Sequence, residues 1–120
     1  MKIWLDDERD EPSEWKRFKT SPELIGFLKL ISYGEISKTV TNISLDHDLG
    51  LCSKCVNLNE CIHNGTGYDV LKWIELETFT NKEYVPPILA LHTSNSSARQ
   101  KMQLAIESIQ RIYRSRFLDE

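Results

Sequence analysis

Three short apolar runs constrain this chain most, because the first and last proceed without polar alternation and each of the three stops on groups that are costly to bury. Lys2-Ile3-Trp4-Leu5 ends on Asp6-Asp7, Ile43-Ser44-Leu45 on Asp46-His47-Asp48, and Ile88-Leu89-Ala90-Leu91 on His92-Thr93-Ser94-Asn95. Unalternated runs of this length fit parallel strands covered on both faces. A carboxylate or imidazole placed where such a strand stops needs a partner or a metal, since an unpaired buried charge is expensive.

Helical periods lie between these runs. Thr20 and Glu23 stand at capping-box spacing with Pro22 in the first turn, ahead of Leu24, Phe27, Leu28 and Ile31 on one face. Thr66-Gly67-Tyr68-Asp69 repeats the box ahead of Val70, Leu71, Trp73 and Ile74, which predicts a helix to about Phe79. A last helix, capped by Ser94, Ser96 or Ser97, carries Ala98, Met102, Ala105, Ile106, Ile109 and Tyr113 as its apolar stripe. Thr39 to Leu45 and Trp15 to Lys19 are expected as strands, with no helix-length segment between Asp7 and Trp15. Alternating strands and helices imply right-handed crossovers and a mostly parallel sheet, so all the strand ends emerge at one edge. That edge is where open α/β sheets bind ligands.

The chain of 120 residues holds one core and reads as a single domain over 1–120. A net charge of −3 argues against a duplex-DNA footprint. The apolar runs fall far short of the roughly 20 residues a bilayer helix needs, and the acidic start is unlike a signal peptide. A cytoplasmic protein without a membrane partner is expected. Arg99, Lys101, Arg111, Arg114 and Arg116 make the last part basic, which suits a small phosphorylated ligand.

Asp6, Asp7, Asp46 and Asp48 are hard oxygen donors of the kind that hold Mg²⁺ or Mn²⁺. Such an ion polarises a phosphoryl oxygen and activates water. His47 and His92 are the candidate general acid and base beside Asp46, and Thr93, Ser94 and Asn95 form a candidate phosphate cradle at a helix start. The bland alternatives stay open: a solvated acidic loop, and an interior histidine satisfied by backbone.

Residues 51–65 form an insertion containing Cys52, Cys55, Cys61 and His63, which make a complete tetrahedral set for a structural Zn²⁺. Three thiols in a cytosolic chain argue against disulfides. A labile redox pair or unligated thiols are the alternatives.

Taken together, Leu5-Asp6-Asp7-Glu8-Arg9, Ile43 through Gly50, Thr66 through Asp69 and His92 through Asn95 resemble the cyclic-phosphate-processing receiver domains. These are a divergent branch of the response-regulator receivers found in bacteria and phages. The resemblance implies a receiver-like (flavodoxin-like) three-layer α/β sandwich, here truncated at the C-terminus and bearing the Cys/His-rich insertion. Asp6 and Asp7 match the acidic pair that binds metal in receivers, and Asp46 matches the phosphoacceptor. A fifth strand with its switch lysine is not expected, and Lys101, inside a helix, does not replace it. The implied function is therefore a metal-dependent phosphoesterase acting on a cyclic phosphate, either an RNA 2′,3′-cyclic phosphate end or a cyclic nucleotide. The alternatives are non-catalytic sequestration of a cyclic nucleotide signal and a zinc-stabilised interaction module.

Overall fold

A computed structural model describes residues 1–57, 61 and 63–118. The chain resolves into β1 (Lys2–Leu5), β2 (Trp15–Phe18), α1 (Ser21–Ser32), β3 (Asn42–Leu45), α2 (Gly67–Thr80), β4 (Ile88–Leu91) and α3 (Ser96–Ser115). The four strands are all parallel, in the order β2-β1-β3-β4. β3 starts later than expected because Thr39 and Thr41 dock against the chain start. The Thr39 carbonyl accepts from the Met1 amino group at 2.6 Å, and the Thr41 N–H donates to the Met1 carbonyl at 2.9 Å.

The helix signals behave as their chemistry requires. The Thr20 hydroxyl oxygen accepts from the Glu23 N–H at 3.3 Å, and Asp69 accepts from the Thr66 N–H at 2.9 Å, so each box satisfies donors that the helix itself cannot. The cap of α3 is Asn95 instead of one of the expected serines: its side-chain oxygen accepts from the Ala98 N–H at 3.1 Å. Asn95 is available for this because its own N–H is held by the Thr93 hydroxyl at 3.1 Å, which fixes it in the extended conformation a cap needs.

Strand alternation sorts the core. Ile3, Leu5, Ile43 and Leu45 are fully buried on one face, joined by Phe18, Leu89 and Leu91, and pack against Leu24 and Leu28 of α1, Val70, Leu71 and Ile74 of α2, and Met102, Ile106 and Ile109 of α3. Each fully buried aliphatic side chain contributes on the order of 2 kcal/mol. The opposite face carries Lys2, Trp4, Trp15, Arg17, Asn42, Ser44, Ile88 and Ala90, and among the described residues no helix covers it.

Topology explains this one-sidedness. The steps from β2 to β3 and from β3 to β4 run in the same direction across the sheet, so right-handed crossovers place α1 and α2 on one face. The step from β1 to β2 runs the other way, and it is the connection without a helix. Of the three layers expected, the described residues form two. On the open face Trp4 and Trp15 meet edge to face at 6.0 Å and the Lys2 ammonium lies 5.8 Å from the Trp15 ring, which shields part of the apolar surface. No described helix is long and apolar enough to cross a membrane.

Candidate functional site

Register brings the strand ends together. Leu5 pairs with Leu45 and Leu45 with Leu91, so the next residues, Asp6, Asp46 and His92, leave the sheet side by side. The ladder continues one step further: the Asp46 N–H donates to the Leu5 carbonyl and the His92 N–H to the Leu45 carbonyl, both at 3.0 Å. Three stretches that are remote in sequence thus share one edge.

A carboxylate oxygen from each of Asp6, Asp7 and Asp46 lies within 4.8 Å of the other two. Asp6 is 1% exposed and Asp46 9%. Burial works against the Asp6 charge, but the Arg9 and Glu8 N–H groups, both 2.9 Å from its Oδ1, together with His92 outweigh it and hold the carboxyl below its usual range. Asp7 moves the other way: burial raises it, and repulsion from Glu8, Asp6 and Asp46 adds to the rise. Crowded carboxylates of unequal acidity are the donor set that a hard divalent cation relieves, so this trio could hold Mg²⁺ or Mn²⁺. Asp48 does not join it. Its Oδ1 faces His47 Nδ1 at 2.8 Å and its Oδ2 accepts from the Asn95 amide at 3.4 Å, because the chain has already turned away to bridge Thr66.

The two histidines differ in what they leave free. Among the described residues the His47 ring is bonded through Nδ1 alone, to Asp48. His92 has both ring nitrogens engaged, Nε2 on Asp6 Oδ2 at 3.1 Å and Nδ1 on Ser44 Oγ at 2.8 Å, and its ring lies flat on Trp4 with centroids 3.7 Å apart. Burial pushes the His92 pKa below its ordinary 6.5 despite the attraction of Asp6 and Asp46. The neutral ring therefore donates from Nε2 to ionised Asp6 and accepts at Nδ1 from the Ser44 hydroxyl. Ser44, His92 and Asp6 form a hydrogen-bonded string like that of a serine hydrolase, but Ser44 is 6% exposed in the middle of the sheet and serves to orient the ring.

A stability effect follows from His92. The unfolded chain takes up the imidazole proton near 6.5 while the folded chain does so only at lower pH, so stability is complete above the upper value and is lost as pH falls through that window. Thermal unfolding followed against pH is expected to show this loss in the native chain and a flatter profile in His92→Gln; equal slopes would refute it.

The remaining expected residues hold one another. Thr93 is buried with its hydroxyl on the Asn95 N–H, Asn95 is committed to the helix cap, and Ser94 is exposed. Two arginines to which the sequence reading gave no role hold the site. Arg17 donates to the Asp6 carbonyl at 3.0 Å and the Asp7 carbonyl at 2.7 Å, and Arg9 spans from Asp6 Oδ2, 3.9 Å away, to the His92 carbonyl. Arg17 gave no signal beyond a cation in an edge strand, whereas Arg9 adjoins the acidic run.

Two glycines let the backbone close around these groups. A Cβ at Gly67 would overlap the Asp46 carbonyl, against which α2 starts; a Cβ at Gly50, where φ is +70°, would sit 2.5 Å from Asp7 Oδ2.

The Cys/His cluster assembles beside this edge. One ligand atom each from Cys52, Cys55, Cys61 and His63 falls within 4.8 Å of the others. The N–H groups of Cys52 and Asn64 point at Cys61 Sγ, each at 3.4 Å, and despite burial the Cys61 thiol is drawn down to about 6. Burial and hydrogen bonding to Cys52 and Cys61 push Cys55 up to about 12. Amide donors aimed at a sulfur, with soft ligands in a tight tetrad, fit a thiolate-bound metal such as zinc. Leu58, Asn59, Glu60 and Ile62 of the insertion lie outside the described residues.

No curated protein and no solved structure matches the chain. A family model described as the cyclic-phosphate processing receiver domain matches residues 1–108. With the parallel sheet, the acidic strand ends and that match in hand, the chain belongs to the cyclic-phosphate processing receiver domains.

Proposed function

We propose that this chain is a metal-dependent phosphoesterase that opens a cyclic phosphate, on an RNA 2′,3′-cyclic end or a cyclic nucleotide. The observation that carries the reading is the convergence of Asp6, Asp7 and Asp46 at the strand edge of a chain whose family is described by cyclic-phosphate processing. When bound, Mg²⁺ or Mn²⁺ supplies Lewis-acid polarisation of the phosphoryl oxygen.

The residues divide the remaining work. Asp48 orients His47 through Nδ1, leaving Nε2 to take a proton from the attacking water and return it to the leaving oxygen. In that displacement the water oxygen bonds to phosphorus as one ribose P–O bond breaks, giving a phosphomonoester. His92, spent at both nitrogens, is a positioning residue that holds Asp6 in its ionised form. Ser94 and Arg9, both exposed, meet the phosphate oxygens, while Thr93 and Asn95 shape the turn that carries Ser94. The Cys/His cluster holds a structural zinc, its closed set leaving no position for chemistry.

The test is a panel of 2′,3′-cyclic nucleotides, cyclic-phosphate-ended oligoribonucleotides and cyclic dinucleotides, incubated with Mg²⁺ or Mn²⁺ and resolved by chromatography. Ring opening of at least one supports the reading. Ligand recovered intact but bound, seen as a thermal shift, replaces it with sequestration.

A further inference from the structure

Asn64 stands between the two clusters and bonds toward both. The Asn64 carboxamide donates to the Leu49 carbonyl at 3.0 Å and the Gly50 carbonyl at 3.4 Å, while the Asn64 N–H points at Cys61 Sγ. The Asn64 carbonyl accepts from the Ser21 N–H at 2.9 Å, which anchors the same residue to the start of α1. Gly50, held by Asn64, closes on Asp7 so tightly that a methyl group would not fit. Asn64 therefore touches the sulfur cluster with its backbone and the wall of the acidic cluster with its side chain.

We infer that the two clusters are thermodynamically linked and that Asn64 is the positioning residue that links them, so that metal on Cys52, Cys55, Cys61 and His63 raises divalent-cation affinity at Asp6, Asp7 and Asp46. The inference rests on the reading of both clusters as metal sites. Its physical basis is local. A cation held by the four ligands fixes Cys61, and with it the adjoining turn that carries Asn64; Asn64 then sets how closely Gly50 confines Asp7. Asp7 is the carboxylate this wall confines, since a Cβ built at Gly50 would sit 2.5 Å from its Oδ2, and a shift of Gly50 changes where Asp7 stands relative to Asp6 and Asp46. Residues that orient a ligand in this way typically change metal affinity about 10–100-fold.

The experiment titrates Mn²⁺ into zinc-loaded chain by calorimetry and electron paramagnetic resonance, with Asp46→Asn to identify binding at the acidic cluster. Asn64→Ala, still holding one zinc, is expected to bind Mn²⁺ about tenfold more weakly, and the zinc-stripped native chain to show a loss of the same sign. Linkage requires the converse, which a purely structural role would not give. Saturating Mn²⁺ should strengthen zinc retention against a chelator by the same factor in the native chain, and should leave it unchanged in Asn64→Ala.

Equal Mn²⁺ affinity in native and Asn64→Ala chains, both zinc-loaded, overturns the coupling while leaving the acidic site standing. No Mn²⁺ binding that Asp46→Asn removes overturns the acidic site and the coupling with it. The two failures are thus distinct.

Discussion

Asp46→Asn is expected to weaken Mn²⁺ binding by at least about 100-fold, beyond the usual effect of an outer-shell change, and to abolish ring opening of any cyclic phosphate the native chain processes. The same substitution should leave the thermal midpoint unchanged or raised. Asp46 lies within 4.8 Å of Asp6 and Asp7 and contributes to the repulsion that lifts Asp7, so in the absence of a cation its charge opposes folding. Loss of function without loss of stability identifies a residue kept for ligand binding. Calorimetric Mn²⁺ titration beside a melting curve checks both halves, and native-like Mn²⁺ affinity in the variant would remove Asp46 from the site.

Cys55→Ser is expected to abolish stoichiometric zinc and to lower the melting temperature, on the order of 10 °C. Cys55 is the buried member of the tetrad, 3.2 Å from the His63 ring, and its carbonyl partner turn closes through the Cys55 N–H on the Cys52 carbonyl at 3.0 Å. Serine cannot replace the thiolate, and the insertion then loses the bonds that let it close. The rest of the core does not depend on these ligands, so a cooperative transition at lower temperature is expected instead of an unfolded chain. Elemental analysis with calorimetric melting decides it; a native chain that purifies without zinc and melts identically to Cys55→Ser would leave the cluster as plain thiols.

Much of this architecture is legible in the residues. The unalternated runs mark the strands, the two boxes mark helix starts, and the shared direction of parallel strands is enough to bring Asp6, Asp46 and His92 to one edge. Clustering of the cysteines needs only their spacing. What the sequence leaves out are effects of tertiary placement. A one-sided sheet depends on which way each crossover steps, and only the strand order reveals it. Asp48 belongs to the same tripeptide as Asp46 yet points to other partners, because the bridge to Thr66 turns the chain within two residues. The sequence leaves His92 open between an acid or base and an interior histidine, and only the contacts with Trp4 and Ser44, made by the alternate face of neighbouring strands, decide between them. The serines after β4 all match a cap motif, and the choice of Asn95 is decided by the Thr93 hydroxyl holding its backbone.

The helix-free step from β1 to β2 also bears on the order of assembly. Those two strands are close in sequence and pair at little loop-closure cost, whereas β3 and β4 must be recruited across long intervening segments. The Asp6-Asp7 corner and its Arg17 brace can therefore organise early, while Asp46 and His92 arrive last. A nascent or partly folded chain then offers only two of the three carboxylates, so a cation that needs all three would bind only once folding is complete.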